Sequence, residues 1–158
     1  MIIGHIAAGY LAARGMSAAG AGVLFAGIIV GSVLPDLDML WFLLVDQGQV
    51  HHHNYVTHRP ALWAAVLFVA TMSRLPTVAG VAIGALLHLL LDSIVGKIAW
   101  GWPVWDVAVP LVVVPATHDN WVLSFLFHWT FAVEWALCAV ALVLFAYGRS
   151  RVRKTNPD

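Results

Sequence analysis

The polar residues of this chain fall at the ends of apolar runs, and that punctuation divides it into helices. Residues 2 to 14 read as a short apolar helix closed by Arg14-Gly15. Ser17 can cap a second helix, which runs through Gly-rich and Ala-rich sequence to Leu34 and stops at Pro35. After the Asp36-Leu37-Asp38 turn, a brief apolar run from Met39 to Val45 leads into a histidine loop. Pro60 opens a third helix that ends near Arg74, with Pro76 beyond it, and residues 77 to 95 form a fourth. Residues 98 to 120, rich in Trp and Pro, read as a loop or re-entrant segment with a short apolar piece at 107 to 114. Trp121 to Tyr147 is the clearest transmembrane candidate, because about 20 apolar residues span a bilayer.

Composition turns this string of helices into a membrane protein. Apolar types make up 61% of the 158 residues and charged types only 10%, where a soluble domain carries roughly 25% charged. Mean hydropathy is +0.87. The reading is an all-α, polytopic membrane bundle of four to five apolar helices. Residues 1 to 147 form its one domain and residues 148 to 158 a basic cytoplasmic tail. Net charge is zero, which offers nucleic acid no footprint. Cys138 is the single cysteine, so no internal disulfide forms. The N-terminus lacks the basic start and small-residue cleavage site of a secretory signal and reads as retained.

Charge asymmetry sets an expected orientation in the cytoplasmic (inner) membrane. Arg149, Arg151, Arg153 and Lys154 belong in the cytoplasm by the positive-inside bias. Alternating spans then put Arg14 and Arg74 on that side. His5, Asp36, Asp38, the histidine loop, Asp92 and His118 fall on the extracytoplasmic one, with only Arg59 and Lys97 as cations. Trp100, Trp102, Trp105 and Trp121 fall there too, as an interfacial aromatic belt would. The first and third helices, about 13 residues each at 1.5 Å per residue, are short for spans and fit half-membrane elements.

Histidine and carboxylate are ligands of zinc, manganese and iron, so one-sided clustering points to a metal site. His88 and Asp92 are four apart and share a helix face. They can hold one cation or simply pair with each other. Asp36 and Asp38 flank Leu37 in a turn, where Asp36 is the better ligand candidate. Asp38 is a second ligand, an orienting partner or a general base. His51, His52, His53 and His58 crowd one loop. Three adjacent imidazoles cannot all point one way, so one or two of them ligate together with His58. Arg59 can clamp an anionic oxygen. His5 joins only because the threading brings it to the same face. His118-Asp119 is a loop pair, and His128 and Glu134 lie in the last span, where ligand and structural roles stay open.

The ordered set of His5, Leu34-Pro35-Asp36-Leu37-Asp38, His53-x4-His58 after Thr57, His88-x3-Asp92 and a following Trp-Pro resembles the bacterial and archaeal membrane-bound metal-dependent hydrolases. That family is regarded as distantly similar to zinc-dependent phospholipase C and single-strand nucleases. The resemblance covers most of residues 1 to 105. It implies a helical membrane fold with metal ligands at His5, Asp36, His58, His88 and Asp92. Here Asn54-Tyr55-Val56 follows His53 where the better-known form reads Arg-Gly-aromatic, and the phospholipase's further His and His-x3-Glu have no clean counterpart.

The expected activity is hydrolysis of a phosphoester or other ester of a lipid or lipid-linked substrate. One or two zinc ions, with manganese or iron as variants, would activate water at a site holding His5, Asp36, His53, His58, His88 and Asp92. Asp38 or Asp36, whichever is not fully engaged in ligation, would take the proton, and Arg59 with a backbone or Thr57 donor would hold the anionic oxygen. Two readings compete: a metal transporter or non-enzymatic metal-binding membrane protein, and a haem protein with bis-His ligation. Mid-membrane polar residues are few, chiefly His128 and Glu134, and that favours a one-sided site. Oligomeric state is left open.

Overall fold

The computed structural model describes residues 2–16, 22–49 and 51–155, with side chains described as far as residue 148. Seven α-helices carry these residues: α1 (Ile2–Met16), α2 (Gly22–Gly31), α3 (Asp38–Leu44), α4 (Pro60–Met72), α5 (Pro76–Asp92), α6 (Trp121–Leu126) and α7 (Thr130–Thr155). Short 3-10 turns intervene at Leu34–Leu37, His52–Asn54 and Val56–His58. No strand occurs among the described residues; the one isolated bridge joins Ile98 and Val109. The all-helical expectation holds, and Pro60 and Pro76 stand at the starts of α4 and α5, where a missing N–H costs nothing. The expected Ser17 cap lies outside the described residues.

The α5 helix is the centre of the molecule and packs against α2, α4 and α1, while α1 also meets α7. Glycines set the α2–α5 crossing. Gly27 and Gly31 on α2 face Gly80 and Gly84 on α5, four residues apart on each helix. A Cβ on Gly84 would stand 2.2 Å from the Ile28 carbonyl oxygen, and one on Gly31 would stand 2.0 Å from that of Val81. Small residues of this kind let membrane helices pack backbone to backbone. One turn beyond Gly84 comes His88, so the crossing also delivers the site. Trp63, Ala82, Ala85, Leu89 and Ile98 form the apolar core beneath it.

The spans are fewer by length than the apolar runs alone indicate. Among the described residues, Thr130–Gly148 within α7 is the one helix long and apolar enough to cross a membrane by itself, with only 6% of its apolar window buried inside the protein. A second candidate is the pair Gly22–Gly31 and Leu34–Leu44, bent by 47°. Pro35 supplies the break, buried in the intervening 3-10 turn. The α4 and α5 helices are shorter than a span. The apolar run from Trp121 to Tyr147 is also not continuous. It breaks between Leu126 and Thr130, where the His128 ring nitrogen pairs with the Thr130 hydroxyl at 2.9 Å. Such a local side-chain bond competes with helical pairing. The α7 helix runs on through the basic C-terminal stretch to Thr155.

Residues 98 to 120 hold no helix. Leu111 and Val112 donate backbone hydrogen bonds of 2.8 Å to the carbonyls of Ser93 and Ile94, just past Asp92. This pins an extended strap to the end of α5. Val107, Val109, Leu111 and Val113 alternate outward along it and are exposed.

Candidate metal centre

Four separate segments deliver the site. The α1 helix brings His5, the turn after Pro35 brings Asp36, the loop before α4 brings His53 and His58, and the last turn of α5 brings His88 and Asp92. Asp92 is the hub. Its Oδ1 lies 3.1 Å from His5 Nε2. Its Oδ2 lies 3.1 Å from His88 Nε2, 3.5 Å from His53 Nε2 and 3.6 Å from His58 Nε2. Asp36 Oδ1 faces the same space, 3.4 Å from His88 Nε2 and 3.9 Å from His58 Nε2. One ligand atom from each of Asp36, His58, His88 and Asp92 lies within 4.8 Å of the others. His5, His58 and His88 are almost completely buried, and the His5 ring stacks on that of His88 at 4.0 Å.

The outward nitrogens of two imidazoles are held by protein acceptors, which fixes what the inward ones offer. His88 Nδ1 lies 2.9 Å from the Ser32 carbonyl, which can only accept, so Nδ1 carries the proton and a neutral ring presents Nε2 as a bare lone pair. His58 Nδ1 lies 2.8 Å from Asp38 Oδ2, with the same consequence. Imidazoles that bind metals are oriented in this way. The inward atoms His58 Nε2, His88 Nε2 and Asp92 Oδ2 are buried yet make no hydrogen bond. Buried polar atoms left without partners cost of order 1–3 kcal/mol each. A divalent cation among them would satisfy all of them together, so the residues present fit a metal.

The histidine loop grades from solvent to core. His51 is exposed, His52 and His53 are half-buried, and His58 is buried. Burial holds the His53 imidazole down at about 3, against the pull of the Asp92 carboxylate. His51 and His52 are also lowered, by partial burial and by the neighbouring His58. His58 goes the other way. Burial would lower it, but the bonds to Asp38 and Asp92 outweigh burial and raise it.

The remaining expected residues are placed around this core. Asp38 and Thr57 are hydrogen-bonded to each other, and Asp38 also holds His58, so both stand behind the cluster. Arg59 turns away from it. Its guanidinium pairs with Asp106 at 2.7 Å, reaches the Asn54 carbonyl at 3.3 Å and lies over the Trp102 ring. His118 bonds with Thr117 and Ser124, and His128 with Thr130; neither joins the cluster.

Two contributors escape sequence reasoning, and the structure also places Glu134, whose role the sequence leaves open. The Ser32 carbonyl orients His88 through a backbone atom, which no residue type signals. Gly96 makes room for His53, because a Cβ there would stand 2.4 Å from the ring's Cε1. Glu134 of α7 is buried against Gly4 with its Oε1 unbonded, which brings the long helix to the residue beside His5.

Comparison with curated proteins and with solved structures found no match. A family model described as YdjM inner membrane protein matches residues 1–154, and the chain belongs to that family of inner membrane proteins.

Proposed function

We propose that this protein is a membrane-bound, metal-dependent hydrolase acting on a phosphoester or other ester of a lipid or lipid-linked substrate. The observation that carries the reading is the convergence of Asp36, His58, His88 and Asp92, three of which bring a buried ligand atom with no hydrogen bond: His58 Nε2, His88 Nε2 and Asp92 Oδ2. His5 and His53 complete the ligand set from either side of Asp92. Zinc suits this mixture of imidazole and carboxylate, with manganese or iron as alternatives. When bound, such an ion supplies Lewis-acid chemistry, acidifying water toward a pKa of about 7 and polarising an ester oxygen.

The chain's own residues supply the rest. Asp38 Oδ1 is buried and unbonded, and through Oδ2 the same carboxylate holds His58, so Asp38 can accept a proton without leaving its post. Thr57 fixes that carboxylate's rotamer. Arg59 is the anion-binding group within reach of the loop, and its partner Asp106 is largely exposed, so a substrate phosphate can exchange for it. Exposed Trp100, Trp105, Trp121 and Trp129, with the outward valines of the strap, favour a site that opens at a lipid surface.

The test is metal analysis of the detergent-purified protein, followed by turnover of phosphoesters and lipids with and without chelator. His88→Ala and Asp92→Ala should each lose bound metal while still inserting in the membrane. Metal retained by both variants would refute the centre as drawn. Metal bound without chelator-sensitive turnover would leave a non-enzymatic metal-binding protein.

A further inference from the structure

The inner cluster is enclosed, so a cation must pass other groups to reach it. A second grouping of ligand atoms lies on its solvent side: His52, His53 and His58 each offer one within 4.8 Å of the others. The rings form an unbroken series. His51 stacks on His52 at 4.9 Å, His52 lies 4.2 Å from His53, His53 lies 5.0 Å from His58, and His58 lies 5.5 Å from His88. Exposure falls along that series from His51 to His88.

His58 belongs to both groupings. With Nδ1 held by Asp38, it has only Nε2 to give, and one lone pair serves one ion. The two groupings therefore cannot both be complete at once. His53 also faces two ways, with Nε2 at 3.5 Å from Asp92 and a buried Nδ1 that makes no hydrogen bond. We infer that His52, His53 and His58 form an entry station for a divalent transition-metal ion, which passes inward by exchanging His52 for Asp36, His88 and Asp92 while His53 and His58 stay with it. The inference rests on the metal reading of the inner cluster. It adds that the outer imidazoles govern how fast that cluster fills and that the two sets share one ion. Each inner ligand gained displaces either an outer imidazole or a water carried in by the ion, so the coordination number is kept and no electron moves. An all-imidazole set suits zinc, copper or nickel and binds calcium or magnesium poorly, so the station also filters what enters.

Metal-free protein in detergent, mixed with zinc and followed with a chromophoric chelator, tests this. The parent should bind a single equivalent at saturation. His52→Ala should reach the same final occupancy but fill about tenfold more slowly or worse, by analogy with the cost of losing supporting groups around a metal. His88→Ala combined with Asp36→Asn should keep only weak zinc binding, and adding His52→Ala should abolish it. Two equivalents in the parent, or unchanged filling in His52→Ala, would overturn the shared-ion station while leaving the inner centre intact. A parent that binds no zinc would overturn both.

Discussion

At the scale of single residues, the decisive feature is how the inward nitrogens are kept as acceptors. Asp38 holds His58 by Nδ1, and in the metal-free protein its charge also favours a protonated ring, which raises His58. Metal and proton then compete for Nε2. Because the raised group keeps its proton to higher pH, metal affinity must climb as pH rises through its titration. The Asp38–His58 attraction itself stabilises the metal-free fold at low pH and is lost as pH rises through that same value. Asp38→Asn removes the charge. It should weaken zinc binding by about 10–100-fold and move the pH at which affinity levels off downward, as zinc titrations across a pH series would show. An unchanged pH profile would mean that Asp38 does not govern His58. Gly96→Ala probes His53 without touching its ring, since a Cβ at 96 would stand 2.4 Å from Cε1 and 2.8 Å from Nδ1. The side chain should swing away, and metal affinity should fall while thermal stability holds. Parent-like affinity would remove His53 from the ligand set.

At the scale of elements, the α2–α5 crossing couples packing to chemistry. Gly84 is pressed against the Ile28 carbonyl and the Ser32 amide, both backbone groups that cannot swing aside. Gly84→Ala should push the helices apart, cost about 1–3 kcal/mol of stability as overpacking does, and draw His88 off the Ser32 carbonyl. Thermal unfolding in detergent and bound metal should both fall. Gly15→Ala, where a Cβ meets nothing within 4 Å, is the neutral control. Loss of stability with full metal occupancy in Gly84→Ala would separate the crossing from the site. This element also shows what a sequence can reveal. The four-residue spacing of His88 and Asp92 is legible because helical period alone places them on one face. Asp36 is legible because Pro35 ends a helix there. The carbonyl that orients His88 is not, since it depends on a crossing between helices far apart in the chain. The partner of Arg59 is not legible for the same reason, since Asp106 lies 47 residues away. The single run from Trp121 to Tyr147 hid a break because hydropathy does not register the His128–Thr130 bond.

At the scale of the whole molecule, α7 alone among the described residues has an unaided span's length, and the site sits at the end of α5, beside the strap and the exposed tryptophans. The α7 helix carries Arg149, Arg151, Arg153 and Lys154 at its far end, and by the positive-inside bias we propose that this end lies on the cytoplasmic side. Glu134, near the start of the same helix, packs against Gly4, next to His5. On that proposal, the two ends of α7 put the cluster at the membrane face opposite the basic run. His51 is exposed at the mouth of that cluster, and Cys138 is the one native thiol. In a Cys138→Ala background, His51→Cys should react with a membrane-impermeant maleimide in intact spheroplasts. A cysteine placed at Ser150 should react only after the membrane is opened. Labelling at 51 that also waits for permeabilisation would turn the mouth toward the cytoplasm. The substrate would then have to come from the inner leaflet, and His51 would meet the cytoplasmic metal pool.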